Sequence, residues 1–331
     1  MSKLTALAES NATESPDAIF VHQLSTGEDV SYARIRDTAA LISKTLAGAG
    51  FPVGGRVVFI ARNNWALFPL LIACAERKLI LAPVDPALHP TELRFVLSHA
   101  MPSLIVYDDG SQPKTPGIQG PSVPLAALLA GSPISRPSQS DSEPAEEQPV
   151  DPGLLLIYTS GTTGGAKAVL LTESNLLSMA GHFKSFYQIQ PTDRFYCVLP
   201  TFHMNAIMLT GMLPMVARAH VVLSDALSFK NAKFYWKSVE EHRVTICSLV
   251  PSVMSLLLKI FPGKTKAPGS VRFAFCGAAP LPASLWREFE ESFGIPIYQG
   301  YGLTETTGWA AAIPPGPRTS TTMAPAPGRC A

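Results

Sequence analysis

The chain has 331 residues, of which 47% are hydrophobic and 15% are charged, and its formal net charge is +1. This composition supports a large buried core and excludes a chain that is disordered throughout. Because lysine and arginine are dispersed along the sequence, we expect no nucleic-acid partner.

The sequence also argues against export and against a membrane span. It contains no apolar run of the roughly 18 or more residues that a transmembrane helix requires. Residues 1–11 lack the apolar core of a secretory signal, which predicts a cytoplasmic protein. The five cysteines are widely spaced and odd in number, which argues against a disulfide framework and against a zinc cluster.

The N-terminal part of the chain alternates between apolar runs and helical patterns. A turn-forming cluster near residues 25–28 separates two short strands, and Ser31 then has the position of a helix N-cap. Further strands are predicted at 56–60, 79–84 and 103–107, with helices between them. Such alternation predicts a parallel sheet that is covered on both faces.

Residues 110–150 are rich in proline, serine, glycine and acidic side chains. A segment of this composition cannot bury enough apolar surface to fold alone. We therefore expect a flexible connection here, with a short strand or helix near residues 123–130.

A glycine-rich stretch follows a short apolar run at residues 154–158, which has the character of an interior strand. Glycines allow the backbone to approach an anion closely, and hydroxyl groups and a lysine can donate hydrogen bonds to phosphate oxygens. The spacing is not that of a Walker loop, and glycine with hydroxyl residues also occurs in plain surface turns.

The string from Tyr158 to Lys167 resembles the phosphate-binding signature of the adenylate-forming superfamily, which includes acyl-CoA synthetases and luciferases. Two positions depart from that signature, since Ala166 and Ala168 stand where members usually carry proline and glycine. The residues that the resemblance assigns to nucleotide binding in this stretch are Thr159, Ser160, Gly161, Thr162, Thr163, Gly164 and Lys167.

Further along, a strand at 195–199 ends in a Pro-Thr-Phe-His sequence, which places His203 at the carboxyl edge of the sheet, where crevices of α/β proteins lie. A histidine here can be a structural side chain. The resemblance instead implies a catalytic-site position for His203, as a gating or pocket residue near the acid substrate. The methionines that follow at helical spacing fit core packing better than a lipid-binding surface.

Two later segments complete the resemblance. A strand runs into the small-residue turn Gly277, Ala278, Ala279 and Pro280, which by itself could be structural and which in the superfamily borders adenine. Residues 299–306 resemble the second superfamily signature. In this match Gly300, Tyr301, Gly302 and Thr304 bind the nucleotide, with Tyr301 stacked on adenine, and Thr304 and Glu305 are catalytic, with Glu305 holding Mg²⁺.

The resemblance implies an α/β fold in which stacked mixed β-sheets are flanked by helices. We expect a nucleotide-binding large domain over residues 1–309 and an irregular tail over 310–331 that is rich in proline and threonine, without the small C-terminal lid of the superfamily. The expected cofactors are ATP and Mg²⁺, with CoA or a carrier-protein thiol as acceptor.

Two functions remain open from the sequence. The first is an acyl- or aryl-CoA ligase, impaired in this polypeptide by the missing lid. It would activate a small carboxylic acid as its acyl-adenylate and could serve a carrier protein. The second is a nucleotide-binding protein without turnover, or an adenylation unit of a peptide-synthetase-like system.

Overall fold

The computed structural model of the chain describes residues 1–112, 121–135, 153–159, 167–263, 265–316 and 324–325. The helices are α1 (Lys3–Glu14), α2 (Tyr32–Gly48), α3 (Leu67–Arg77), α4 (Pro90–Ala100), α5 (Leu125–Leu129), α6 (Glu173–Phe186), α7 (Met204–Ile207), α8 (Leu213–Ala217), α9 (Tyr235–Glu241), α10 (Pro251–Ile260) and α11 (Ala283–Phe293). The strands are β1 (Ile19–Gln23), β2 (Glu28–Ser31), β3 (Arg56–Ile60), β4 (Ile80–Val84), β5 (Leu104–Tyr107), β6 (Ser122–Pro124), β7 (Gly153–Thr159), β8 (Lys167–Thr172), β9 (Arg194–Cys197), β10 (His220–Leu223), β11 (Ile246–Leu249), β12 (Phe273–Cys276), β13 (Ile297–Leu303), β14 (Gly308–Ala312) and β15 (Ala324–Pro325).

The chain forms two compact units. The first contains Met1–Ala18 and Ser31–Asn175, and the second contains Ile19–Val30 and Leu176–Ala331. Each unit is built around one mixed sheet. The predicted α/β class with mixed sheets flanked by helices is therefore confirmed.

The first unit has a six-stranded sheet in the order β6-β5-β3-β4-β7-β8. Its described pairs are parallel except for β7 with β8, which is antiparallel. Helix α2 begins as predicted, because the Ser31 hydroxyl accepts a hydrogen bond from the backbone N–H of Arg34 at 3.2 Å. The apolar face of α2 is buried, and it comprises Ile35, Ala39, Ile42 and Leu46.

The second unit has a nine-stranded sheet in the order β15-β14-β13-β12-β11-β9-β10-β1-β2. The central pairs are parallel, whereas β13 with β14 and β14 with β15 are antiparallel. The methionines at 204, 208, 212 and 215 are all buried, which confirms core packing. Between α7 and α8 the chain forms a π-helical turn over Met208–Met212, a feature that is frequent near functional sites.

Two sequence predictions need correction at the C-terminal edge of the second unit. The second signature was given no strand from the sequence, but β13 continues to Leu303 and includes part of it. The irregular tail was expected from Ala310, but this residue lies inside β14. Glycines in β13 allow the close pairing, because a Cβ on Gly302 would lie 1.9 Å from the carbonyl oxygen of Gly308. These glycines also remove the alternating apolar pattern by which a strand is recognised.

None of the described helices combines the length and the apolar character that crossing a bilayer requires.

A group of three histidines lies in the second unit. His22 contacts Asp29 at 2.6 Å between Nδ1 and Oδ1, and its ring lies 4.6 Å from that of His242. His220 is largely buried, and its Nε2 has no hydrogen-bond partner among the described residues. Burial, with smaller contributions from Arg194 and His22, lowers the pKa of His220 to about 4, although Asp29 acts in the opposite direction.

We expect this histidine to make the protein sensitive to acid. In the unfolded chain this imidazole binds a proton near pH 6.5, whereas in the folded protein it stays neutral until a lower pH. Its contribution to stability is therefore fully present above pH 6.5. It falls by about 3 kcal/mol as the pH drops from 6.5 to 4. Urea denaturation at several pH values should show a smaller loss for His220→Asn than for the unmodified protein. His182→Asn, which alters an exposed histidine of α6, is the control. Parallel pH curves for all three proteins would contradict the assignment.

Candidate active site

The first signature begins on a hairpin of the first unit. Thr159, the last residue of β7, pairs directly with Lys167, the first residue of β8, so the hairpin brings both ends of the signature together. Lys167 is exposed and Thr159 is partly exposed. Strand β8 was not predicted from the sequence, because its first residues were assigned to the glycine-rich phosphate-binding loop. The predicted positions Ser160, Gly161, Thr162, Thr163 and Gly164 lie outside the described residues.

Tyr158 fixes this hairpin to the neighbouring helix α4. Its hydroxyl oxygen lies 3.0 Å from Nδ1 of His99, and the hydroxyl donates to the carbonyl oxygen of Val96 at 3.3 Å. Burial raises the pKa of the Tyr158 phenol, so the group stays protonated as a donor. The tyrosine therefore holds the end of β7 where the signature begins.

The Gly277 turn follows β12 in the second unit, at the carboxyl end of the parallel sheet. Because Cys276 pairs with Gln299, Gly277 lies beside Gly300 on the adjacent strand. Gly277 is buried, whereas Ala278, Ala279 and Pro280 are exposed. Ala278 has a left-handed backbone with φ of 68°, a costly conformation for a residue with a side chain. The turn thus presents its small residues outward.

Trp309 lies beneath this edge and had no role in the sequence predictions. It pairs with Gly302 across the β13–β14 hairpin, and its indole covers the backbone of Gly300 and Gly277. A Cβ on Gly300 would lie 1.7 Å from Cδ2 of the indole. The glycines at 277 and 300 are therefore required by packing as well as by the signature.

Aromatic side chains hold the indole in place. Its ring makes edge contacts with Phe275 of β12 at 5.3 Å and with Phe183 of α6 at 5.7 Å. Behind them, Tyr187 contacts Phe275 at 4.8 Å and donates a buried hydrogen bond to the carbonyl oxygen of Ile313 at 3.1 Å. The support comes from residues that are distant in sequence.

The residues of the second signature lie on the exposed side of the same hairpin. Tyr301 is 57% exposed, Glu305 is exposed and Thr304 is partly exposed. The turn is fixed by Thr306, whose hydroxyl accepts from the N–H of Leu303 at 2.9 Å and lies 2.6 Å from the carbonyl oxygen of Gly308. Thr306 was given no role from the sequence, although it lies beside Glu305 in the second signature.

His203 lies at the start of α7, beyond the carboxyl end of β9. Its side chain is exposed, and its ring is 4.7 Å from that of Phe202. This is the sheet edge that the sequence predicted. A gating or pocket role for His203 requires such a position at the sheet edge.

Glu305 is the residue that the resemblance assigns to Mg²⁺. Among the described residues, no group of three or more histidine, cysteine, aspartate or glutamate side chains could hold a metal ion. Mg²⁺ is commonly bound by one or two carboxylates together with substrate phosphates and water. An exposed single carboxylate at Glu305 fits this mode, whereas it does not fit a protein cage.

A cavity of about 320 Å³ lies in the first unit between α1, α2 and α3. Ala39 and Ala73 contribute to its lining, with Arg36, Lys44 and Glu76 among the charged residues around it. None of the predicted site residues lines it. We assign this cavity no part in nucleotide chemistry.

Comparison with known proteins shows that most of the chain is similar to CoA ligases. The sulfoacetate–CoA ligase of Cupriavidus necator is 30% identical over 326 residues, which are 95% of this chain and 62% of that protein. The long-chain-fatty-acid–CoA ligase FadD13 of Mycobacterium tuberculosis is 28% identical, covering 93% of this chain and 61% of the relative. The chain thus spans less than two thirds of the length of these relatives.

A solved structure and a family model agree with these relatives. The inhibitor-bound N-terminal domain of FACL13 from Mycobacterium tuberculosis has a TM-score of 0.79 and 26% identity, and the match covers 94% of this chain and 78% of that domain. The AMP-binding enzyme family model matches residues 8–330. With two signatures, the mixed-sheet fold and a family match over nearly its whole length, the chain belongs to the AMP-binding enzymes.

Proposed function

We propose that the protein uses Mg²⁺ and ATP to activate a carboxylic acid and then transfers the acyl group to a thiol. Family membership supports this chemistry. The observation that carries it is the β13–β14 edge, which presents Tyr301, Thr304 and Glu305 outward while the glycines at 277 and 300 leave room for the indole of Trp309 beneath them.

In the first step an oxygen of the acid's carboxylate attacks the α-phosphorus of ATP. The bond between this phosphorus and the bridging oxygen of pyrophosphate breaks, which gives acyl-AMP and pyrophosphate. Lys167 and the hydroxyls of Thr162 and Thr163 would bind the β- and γ-phosphates, and Thr304 would donate to the α-phosphate. Glu305 would hold Mg²⁺, which supplies positive charge against the departing pyrophosphate.

In the second step the sulfur of the thiol attacks the acyl carbon and AMP leaves. We propose CoA as the acceptor, with a carrier-protein thiol as the alternative, and a cytoplasmic location where ATP and CoA are both supplied. The tyrosine ring at 301 would stack on adenine, and His203 would border the acid. Nothing in these steps requires His203 to act as a base.

The relatives do not select one acid. Their names include sulfoacetate, oxalate and long-chain fatty acids, which range from very small to very large substrates. An amino acid is disfavoured, because residues 201–210 contain no aspartate that could bind its ammonium group. We therefore propose an organic acid without an α-amino group.

ATP–pyrophosphate exchange on the 331-residue polypeptide tests this proposal, with Glu305→Gln as the decisive variant. We expect acid-dependent exchange in the unmodified protein. We expect at least a tenfold weaker Mg²⁺-dependent ATP binding and a roughly hundredfold slower exchange in Glu305→Gln, since a positioned charge is lost from the transition state.

Glu291→Gln, which changes an exposed carboxylate on α11, is the matched control. Equal ATP binding by the unmodified protein and Glu305→Gln would contradict the role of Glu305. ATP binding without exchange for any acid would favour a nucleotide-binding protein without turnover. The same assay measures the rate that the polypeptide reaches by itself, which we expect to be low.

A further inference from the structure

A turn of the second unit exposes two phenylalanine rings among lysines. Residues 228–237 have the sequence Ser-Phe-Lys-Asn-Ala-Lys-Phe-Tyr-Trp-Lys and lead into α9, and we call them the aromatic–lysine turn. Phe229 is 73% exposed and Phe234 is 50% exposed. One exposed phenylalanine is ordinary on a protein surface, but two of them with three lysines within ten residues form a patch of defined chemistry.

Hydrogen bonds hold the aromatic–lysine turn in shape. The side-chain amide of Asn231 donates to the carbonyl oxygen of Ala226 at 3.1 Å, and its side-chain oxygen accepts from the N–H of Ser228 at 2.7 Å. The N–H of Phe234 donates to the carbonyl oxygen of Asn231 at 3.0 Å. The exposure of the two rings is thus a feature of a hydrogen-bonded turn rather than of a frayed end.

The charge around the two rings is positive. Residues 228–237 contain three lysines and no acidic residue. Lys230 is exposed beside Phe229, and Nζ of Lys233 lies 4.9 Å from the centre of the Phe234 ring. Each ring therefore has a cation next to it.

Acidic groups lie at the two ends of the aromatic–lysine turn and not within it. Asp225 precedes the turn, and Glu240 and Glu241 follow it on α9. Lys237 is partly neutralised, because its Nζ lies 3.6 Å from a carboxylate oxygen of Glu241. The positive charge is consequently concentrated at the part of the turn that carries the phenylalanines.

Phenylalanine mixed with lysine suits a lipid surface better than a protein partner. Aromatic rings enter the boundary between headgroups and acyl chains, while lysines keep their ammonium groups among the headgroups and are attracted by anionic lipids. Lysine is instead depleted from the buried centres of protein–protein interfaces. The composition of the turn therefore favours a bilayer that contains anionic phospholipids.

The aromatic–lysine turn lies at the carboxyl end of the parallel strands. Just before the turn, the N–H of Leu227 donates to the carbonyl oxygen of Val198 at 2.9 Å. Val198 directly follows β9, and the chain continues from there to His203. A protein held through this turn has the same edge of the sheet close to the lipid.

We propose that the aromatic–lysine turn docks the protein reversibly on bilayers that contain anionic phospholipids. The rings of Phe229 and Phe234 enter the boundary between headgroups and acyl chains, and Lys230 and Lys233 contact lipid phosphates. Docking of this kind requires no membrane-spanning segment. It is separate from the chemistry proposed above and does not depend on it.

Cosedimentation with vesicles tests the proposal. The vesicles contain phosphatidylcholine alone or phosphatidylcholine with roughly one third phosphatidylserine, in about 0.1 M NaCl. The partition coefficient of the unmodified protein should be at least about tenfold higher for the vesicles with phosphatidylserine. Raising the salt concentration should lower it, because salt screens the attraction between lysines and anionic headgroups.

Substitutions separate the apolar part of the contact from its charge. Phe229→Ala and Phe234→Ala should each lower the partition coefficient about tenfold, whereas Phe95→Ala, at an exposed ring of α4, should leave it unchanged. Lys230→Glu should lower it at least about fivefold, with Lys44→Glu at an exposed lysine of α2 as the matched control. Urea denaturation checks that each variant is folded.

Equal binding to both kinds of vesicle, or full binding by both phenylalanine variants, would overturn the proposal. Sedimentation velocity without vesicles tests a second copy of the chain as the occupant of this surface. If the unmodified protein forms a dimer that Phe229→Ala dissociates, the turn is an interface between copies and the lipid role is wrong. A monomer that binds vesicles through both rings is the result we expect.

Discussion

Alanine at Gly300 should lower the free energy of unfolding by about 3 kcal/mol or more, the upper end for overpacking a core. The added Cβ would lie 1.7 Å from Cδ2 and 2.0 Å from Cε3 of Trp309. The indole is held between Phe275 and Phe183, so the clash must be relieved by separating β13 from β14. Because Tyr301 and Thr304 lie on that hairpin, Mg²⁺–ATP binding should fall together with stability.

Urea denaturation and ATP titration of Gly300→Ala measure both effects. Gly181→Ala is the control, because a Cβ there meets nothing within 4 Å and the residue lies inside α6. Alanine in a helix interior stabilises by roughly 0.5–1 kcal/mol relative to glycine, so the two substitutions should have opposite signs.

A double-mutant cycle identifies the cause. In a Trp309→Ala background the same Gly300→Ala substitution should cost less than about 1 kcal/mol, since the clashing ring is gone. An equal cost in both backgrounds would show that the loss comes from the backbone of β13 and not from the indole.

Local signals predicted most of the regular structure. Helix α2 was placed correctly because its N-cap serine and its apolar face are both encoded within one short segment. The missed strands are β8 and β14, which follow glycine-rich signatures. The pairing of each strand depends on a partner across a hairpin. In β13, the partner of β14, the glycines at 300 and 302 interrupt the apolar pattern that would have indicated a strand.

The candidate site was predicted unevenly for a similar reason. Tyr301 and Glu305 were proposed because a linear signature contains them. Trp309 lies outside that signature, and its importance depends on Gly277, which is 32 residues away in sequence and adjacent in the fold. Asp193 was also missed, because an aspartate before a strand gives no local sign of partners at residues 245 and 272.

Removing the Asp193 carboxylate should be the second large effect. This side chain is 3% exposed and lies before β9. Its oxygens accept hydrogen bonds from the Arg272 guanidinium at 2.5–2.6 Å, from the Thr245 hydroxyl at 2.8 Å and from the Gln190 N–H at 2.8 Å. One carboxylate thus joins the amino ends of β9, β11 and β12, opposite the edge of this sheet that carries the second signature.

Asp193→Ala leaves all three donors without this acceptor. Breaking a buried ion pair commonly costs about 3–5 kcal/mol, and we expect the lower end because the Arg272 side chain is 39% exposed and water can replace part of the loss. Asp193→Asn keeps one acceptor oxygen and should lose less. Urea denaturation followed by circular dichroism measures the differences.

Asp37→Ala is the matched control for Asp193→Ala. Asp37 also contacts an arginine, at 2.7 Å from Nη2 of Arg36, but its side chain is 66% exposed. Exposed pairs contribute about 0–1 kcal/mol, so this variant should be nearly neutral. If Asp193→Ala proved as mild as Asp37→Ala, the carboxylate would not hold the strand ends together. If the substitution weakened ATP binding without lowering stability, Asp193 would instead act on the opposite edge of the sheet.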